Sequence, residues 1–151
     1  TDERDIKNVS SDSNLFSYNK LNYANMGFAG FIPEKDFKKT INNYEEKLPK
    51  HYFDLCLLGV GEDGHIASVF PNECDFIYDS NHSFYCKSEH HQHNRFSLNL
   101  NYITKSKTII LYFRGSNKIE AYDKFFNQDF YPLNQLIEQK EKLKIIIAEG
   151  K

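Results

Sequence analysis

Residues 53–71 read FDLCLLGVGEDGHIASVFP, and their reading decides the fold. Phe53 to Leu58 is an almost unbroken apolar run, the pattern of a central strand buried on both faces of a parallel sheet. It stops at glycine. Gly59, Gly61 and Gly64 permit a tight turn with uncovered backbone N–H groups, and a short helix is expected from about His65, closed by Pro71. The turn also carries Asp63 and His65, a carboxylate and an imidazole two residues apart, at the strand end where ligands of open α/β sheets bind.

The composition limits what surrounds this stretch. A chain of 151 residues is one domain's worth, so one core is expected. Its formal net charge of −2 gives no reason to expect nucleic acid or an anionic membrane as the main partner. Cys56, Cys74 and Cys86 are odd in number and lack metal-type spacing, and Cys56 lies inside the apolar strand; a disulfide framework is not expected, and a reducing, cytoplasmic setting fits best. No apolar run approaches the ~20 residues that span a bilayer, and TDERDIKNVSSDS has none of the features of a signal peptide.

Taken in order, Thr1 to Arg4 reads as the end of a strand, and Ser10 to Ser13 offers N-cap residues ahead of Leu15, Tyr18, Leu21 and Met26 at helical spacing. The clearest helix follows Pro33, where Phe37, Ile41, Tyr44 and Leu48 recur on one face. Residues 72–94 are polar and irregular apart from a short strand at Ser83 to Lys87. Arg95 to Leu100 alternates as a half-buried strand or strand-to-helix lead-in, and Thr108 to Phe113 is a buried strand. Asn117 with Glu120 has the form of a capping box for a helix with Ile119, Tyr122, Phe125 and Phe126 on its inner face. A shorter helix at Leu133 to Gln139 and a strand at Leu143 to Ala148 close the chain. Alternating strands and helices predict an α/β fold, an open, mainly parallel three-layer α/β/α sandwich of Rossmann-like type formed by residues 1–151 as one domain.

Three features bear on chemistry. GVGEDG satisfies G-x-G-x-x-G, yet a dinucleotide site needs a long helix behind the third glycine, and Pro71 cuts this one short. His90, His91 and His93 form the most metal-like cluster, but no rigid pair of cysteines or HExxH helix accompanies them, so a solvated loop is expected and no metal. His65 at a helix N-terminus would be favoured as neutral imidazole, the form a general base needs, with Asp63 beside it. Arg95 and Lys118 start elements that lead to the carboxyl edge of the sheet, and Arg4 sits among Asp2, Glu3 and Asp5.

These residues resemble the 6-phosphogluconolactonase family. The stretch at 53–71 is similar to its signature of a strand followed by G-x-G-x-D-G-H and A-S-L-F-P. TDER with Ser13-Asn14, Arg95-Phe96-Ser97-Leu98 and Gly115-Ser116-Asn117-Lys118 fall in the family's order. The resemblance implies hydrolysis of 6-phospho-D-glucono-1,5-lactone to 6-phosphogluconate in the oxidative pentose phosphate pathway, with neither metal nor organic cofactor. It implies His65 and Asp63 as catalytic residues, with Arg95, Lys118, Arg4, Gly61 and Gly64 around the substrate and its phosphate. Glucosamine-6-phosphate deaminases and isomerases share the fold and the D-G-H turn but continue with a catalytic Glu in A-F-N-E-P; here Ala67-Ser68-Val69-Phe70-Pro71 has none. A sugar-phosphate isomerase or deaminase, or a non-catalytic sugar-phosphate-binding fragment, is the alternative. Ile66 replaces the usual Thr, and Asp5-Ile6 the usual Val-Pro. Family members carry a further segment before DER, so these residues correspond to about the C-terminal two-thirds of such a domain.

Overall fold

A computed structural model describes residues 2–7, 10–20, 29–71, 75–87, 91–126, 132–138 and 141–148. In chain order the elements are β1 (Asp2–Arg4), α1 (Asn14–Lys20), α2 (Phe37–Glu45), β2 (Leu55–Gly59), β3 (Asp75–Asp79), β4 (Ser83–Lys87), β5 (Arg95–Leu98), α3 (Leu100–Ile103), β6 (Thr108–Arg114), α4 (Ile119–Phe126), α5 (Leu133–Ile137) and β7 (Leu143–Ala148). The chain is a mixed α/β protein with two open sheets, divided into two compact units: Thr1–Pro49 with Cys74–Leu98, and Lys50–Glu73 with Asn99–Lys151. Among the described residues no helix is long and apolar enough to cross a membrane.

The first unit holds a four-stranded sheet in the order β1-β5-β4-β3, antiparallel at every pairing. Alternating βαβ units predict parallel pairing instead. The reason for the difference is connection length: three residues join β3 to β4, enough for a hairpin and far short of the dozen or so that a parallel crossover needs. β4 and β5 are buried on both faces, and Phe31, Ile41, Tyr44, Phe84, Tyr85, Phe96 and Leu98 are among the buried apolar residues of this unit. Phe37 stacks on Tyr85 with ring centroids 4.9 Å apart, and Tyr85 packs on Phe96 at 4.7 Å. Helix α2 starts at Asp36, whose carboxylate accepts the Lys38 N–H, three residues later than its proline suggested. Cys86 is disulfide-bonded, against the expectation of free thiols, whereas Cys56 is free and buried. Leu21 and Met26 of the expected first helix lie outside the described residues, as do the side chains of Phe125 and Phe126.

In the second unit β2, β6 and β7 form a parallel sheet in that order, with Leu57 opposite Ile110 and Leu111 opposite Ile145. One face is packed. Cys56, Leu58, Ile109, Leu111 and Phe113 are buried together with Ala121, Leu133 and Leu136. β2 is therefore not the central strand buried on both sides that its composition predicts: among the described residues it is an edge strand, and Leu55 and Leu57 on its other face are 55% and 60% exposed. A run of apolar residues reports a strand, but what covers each face is set by tertiary neighbours.

Candidate active site

The parallel pairing of β2 and β6 sends both strands toward the same carboxyl edge, where β2 ends at Gly59 and β6 at Arg114. The loops beyond these two strand ends are thereby brought together. The first, residues 60–71, contains no helix. Val60 and Ile66 form an isolated antiparallel bridge, as do Ile66 and Val69, and Gly64 (φ 85°) and Ala67 (φ 50°) adopt left-handed backbone. Two left-handed residues within four positions turn the chain back on itself, so the helical spacing of Ile66, Val69 and Phe70 buries three side chains without winding a helix. The dipole argument for His65 falls with the helix, and its chemistry has to be argued from its direct partners.

Asp63 supplies the main one. His65 Nδ1 lies 2.6 Å from Asp63 Oδ1, and the His65 backbone N–H donates to the same oxygen at 3.2 Å. A carboxylate only accepts, so Nδ1 carries the proton and Nε2 is the lone-pair nitrogen of the neutral ring. The ring rests on Phe70, with centroids 4.8 Å apart. Burial alone would raise the Asp63 pKa, but the charge that His65 carries when protonated and the hydrogen bonds from its ring and backbone outweigh it and hold the carboxyl below its usual range. Gly61 is required for the approach: a Cβ there would stand 2.2 Å from Nδ1 and 2.5 Å from Asp63 Oδ1. The N–H groups of Gly61 and Gly64, which the glycine content suggests are uncovered, are engaged within the loop. The Gly61 N–H already donates to His65 O at 2.8 Å and the Gly64 N–H to Gly61 O at 3.1 Å, bonds that close the turn itself.

The second loop, Gly115–Lys118, folds as a 3₁₀ turn in which the Lys118 N–H donates to Gly115 O at 3.0 Å. Gly115 has φ 99° and faces Asn117 Oδ1, which a Cβ would meet at 2.8 Å. The Asn117 side-chain amide donates to the Glu62 carboxylate. Lys118 Nζ lies 4.0 Å from Glu62 Oε1 with its side chain 19% exposed. Glu62 thus ties the cation's turn to the histidine's loop. Sequence reading missed it, since the only signal was an acidic residue inside the glycine turn.

Arg4 and Arg95 belong to the first unit, where they are register partners on β1 and β5. Like charges directly opposite one another on antiparallel strands repel. Arg95 is partly desolvated, its Nε is buried without a hydrogen-bond partner, and burial first and the Arg4 charge second push its pKa down from the usual value. Two arginines thus stand at paired positions, one of them with an unmet buried donor. Glu3 is the second residue that sequence reading missed. It is 2% exposed, and its carboxylate accepts from the N–H groups of Arg4 (2.7 Å), Asn14 (2.8 Å) and Leu15 (2.6 Å) and from Ser13 Oγ (3.1 Å), fixing the start of α1 to the strand that bears Arg4. Arg4 itself donates to Asp12 O. Of the histidine cluster, His90 lies outside the described residues, and His93 Nε2 sits 3.3 Å from Asp12 Oδ2. Among the described residues no group of three or more His, Cys, Asp or Glu side chains could hold a metal ion.

A parallel βα sheet with a carboxylate-paired histidine in the glycine loop at its carboxyl edge places the chain among the open-sheet α/β proteins. The family model described as "Glucosamine-6-phosphate isomerases/6-phosphogluconolactonase" matches residues 1–145. The chain belongs to that family. It is 31% identical over 120 residues to a probable 6-phosphogluconolactonase of Dictyostelium discoideum, covering 70% of this chain and 49% of the relative. It is 27% identical over 154 residues to a glucosamine-6-phosphate deaminase of Clostridium beijerinckii, covering 89% and 61%. The chain therefore spans about half to three-fifths of the length of these relatives. A solved 6-phosphogluconolactonase from Shewanella baltica has the same fold, with a TM-score of 0.82 at 21% identity over 99% of this chain and 70% of that one.

Proposed function

We propose that this chain carries the hydrolytic centre of a 6-phosphogluconolactonase, which opens 6-phospho-D-glucono-1,5-lactone to 6-phosphogluconate. The observation that carries the reading is the 2.6 Å contact between His65 Nδ1 and Asp63, which presents Nε2 as a base. Nε2 takes a proton from water as the water oxygen bonds to the lactone carbonyl carbon. The tetrahedral intermediate then collapses, the bond from that carbon to the ring oxygen breaks, and the imidazolium returns its proton to the departing oxygen. Asp63 stays ionised throughout and stabilises the imidazolium. With the Gly61 and Gly64 N–H groups engaged in the turn, the developing oxyanion is left to a cation, and Lys118 is the one that Glu62 holds against this loop.

The phosphate makes a separate demand, since a dianion remote from the reacting carbon supplies binding energy that positions the lactone. Arg4 and Arg95 meet it with planar guanidiniums suited to two-point contact. The deaminase chemistry named for some relatives is disfavoured, because residues 67–71, ASVFP, hold no acid after the histidine. Turnover of fresh 6-phosphogluconolactone above its spontaneous hydrolysis, with glucosamine 6-phosphate as the competing substrate, tests the reading. Lactone opening without release of ammonia is expected; ammonia release in its place refutes it.

A further inference from the structure

β1 is only three residues long, and its last residue, Arg4, faces a like charge on β5. Repulsion would fray such a strand end unless something held it. Asp5, next to Arg4, and Asn94, next to Arg95, are joined in a closed ring. The Asp5 N–H donates to Asn94 O at 2.8 Å, the Tyr85 hydroxyl donates to the Asp5 carboxylate, and Asn94 Nδ2 donates back to the Tyr85 oxygen at 2.8 Å. Tyr85 is itself fixed. It is 6% exposed on β4 and packed between Phe37 and Phe96.

We propose that Tyr85 is a positioning residue, whose hydroxyl clamps Asp5 to Asn94 and so holds Arg4 and Arg95 in place as a preformed anion receptor. Resting on the assignment of these arginines to the substrate's phosphate, the clamp lowers the ordering cost of binding by fixing both guanidiniums beforehand. Asp5 contributes as an acceptor; its charge is not what the ring uses.

The test is titration of the protein with inorganic phosphate, monitored by calorimetry or by the arginine side-chain NMR signals. Tyr85→Phe and Asp5→Val are each expected to weaken phosphate about 3- to 10-fold, the size of one lost positioning hydrogen bond, whereas Asp5→Asn, which keeps an acceptor, stays within about 2-fold. KM for the lactone should rise by the same factor at unchanged kcat, a split that a merely structural role, read only as a lower Tm, would not produce. Should Tyr85→Phe not fold, Asp5→Val decides. Arg95→Ala separates the two levels of the argument. If it binds phosphate like the wild type, the anion receptor is wrong; if it loses binding while Tyr85→Phe and Asp5→Val keep it, the receptor stands and the clamp is overturned.

Discussion

Replacing Gly61 by alanine should destroy the catalytic geometry while sparing the fold. The added Cβ would lie 2.2 Å from His65 Nδ1, 2.4 Å from Cε1 and 2.5 Å from Asp63 Oδ1, and a Cβ contact needs at least 3.0 Å. The imidazole and the carboxylate both have to retreat, the ring by about 0.8 Å, and the 2.6 Å bond between them cannot survive in that position. Displacing a base by close to 1 Å costs ~10²-fold in rate, so kcat should fall by about that factor, with a smaller change in KM. The stability cost is small, because the clashing atoms are ends of side chains that are 30% and 48% exposed and can swing toward solvent. The assay pairs lactone turnover, corrected for spontaneous hydrolysis, with a thermal melt and the His65 Nδ1 proton signal in NMR. Turnover within about 3-fold of wild type, with the histidine–aspartate proton signal gone, would refute the reasoning, for the contact would then be dispensable.

The same geometry sets three further outcomes. Glu3→Ala strands the donors of Ser13, Asn14 and Leu15 in a buried setting and should cost on the order of 2–4 kcal/mol in a urea denaturation, whereas a surface acid would cost almost nothing. Tyr85 is pushed up to about 12 by burial first and by its bond to Asp5 second. Because the folded value lies above the ordinary ~10, its contribution to stability is complete below pH ~10 and is lost as the pH rises through the folded value; an alkaline unfolding profile should show that loss in the wild type and not in Tyr85→Phe. Lys118→Ala removes a charged donor and should lower kcat/KM for the lactone by about 10- to 100-fold, measured by steady-state kinetics; an unchanged kcat/KM would assign the cation to Glu62 alone.

Much of the fold was legible because apolar runs report buried strands directly. Thr108–Arg114 and Leu143–Ala148 carry four or more apolar residues in a row or nearly so and stand where the sequence places them, and Ser83–Lys87 was legible from its aromatic pair. What the sequence could not show was the partner of each surface. Leu55 and Leu57 look like Cys56 and Leu58 in composition, and only what packs on each face of the sheet separates the buried side from the exposed one. The loop at 60–71 misled because Ile66, Val69 and Phe70 have the spacing of a helix face, while the left-handed backbone at Gly64 and at Ala67, a residue that rarely adopts it, breaks the helix. The site divides in the same way. Asp63 and His65 were legible because neighbours in sequence are constrained to be neighbours in space. Glu62 and Glu3 were not, since a carboxylate within a charged stretch reads as surface until the donors from residues 10 or more positions away are known.

The central claim is that His65, oriented by Asp63, is the base that activates water. Its most direct measurement is kcat for 6-phosphogluconolactone in His65→Asn, which keeps a polar side chain of similar reach but has no titratable nitrogen. The account predicts a fall in kcat of ~10²- to 10⁴-fold with KM within about 3-fold of wild type. A His65→Asn protein that retains kcat close to the wild-type value would place the base elsewhere and leave the glycine loop with a binding role only.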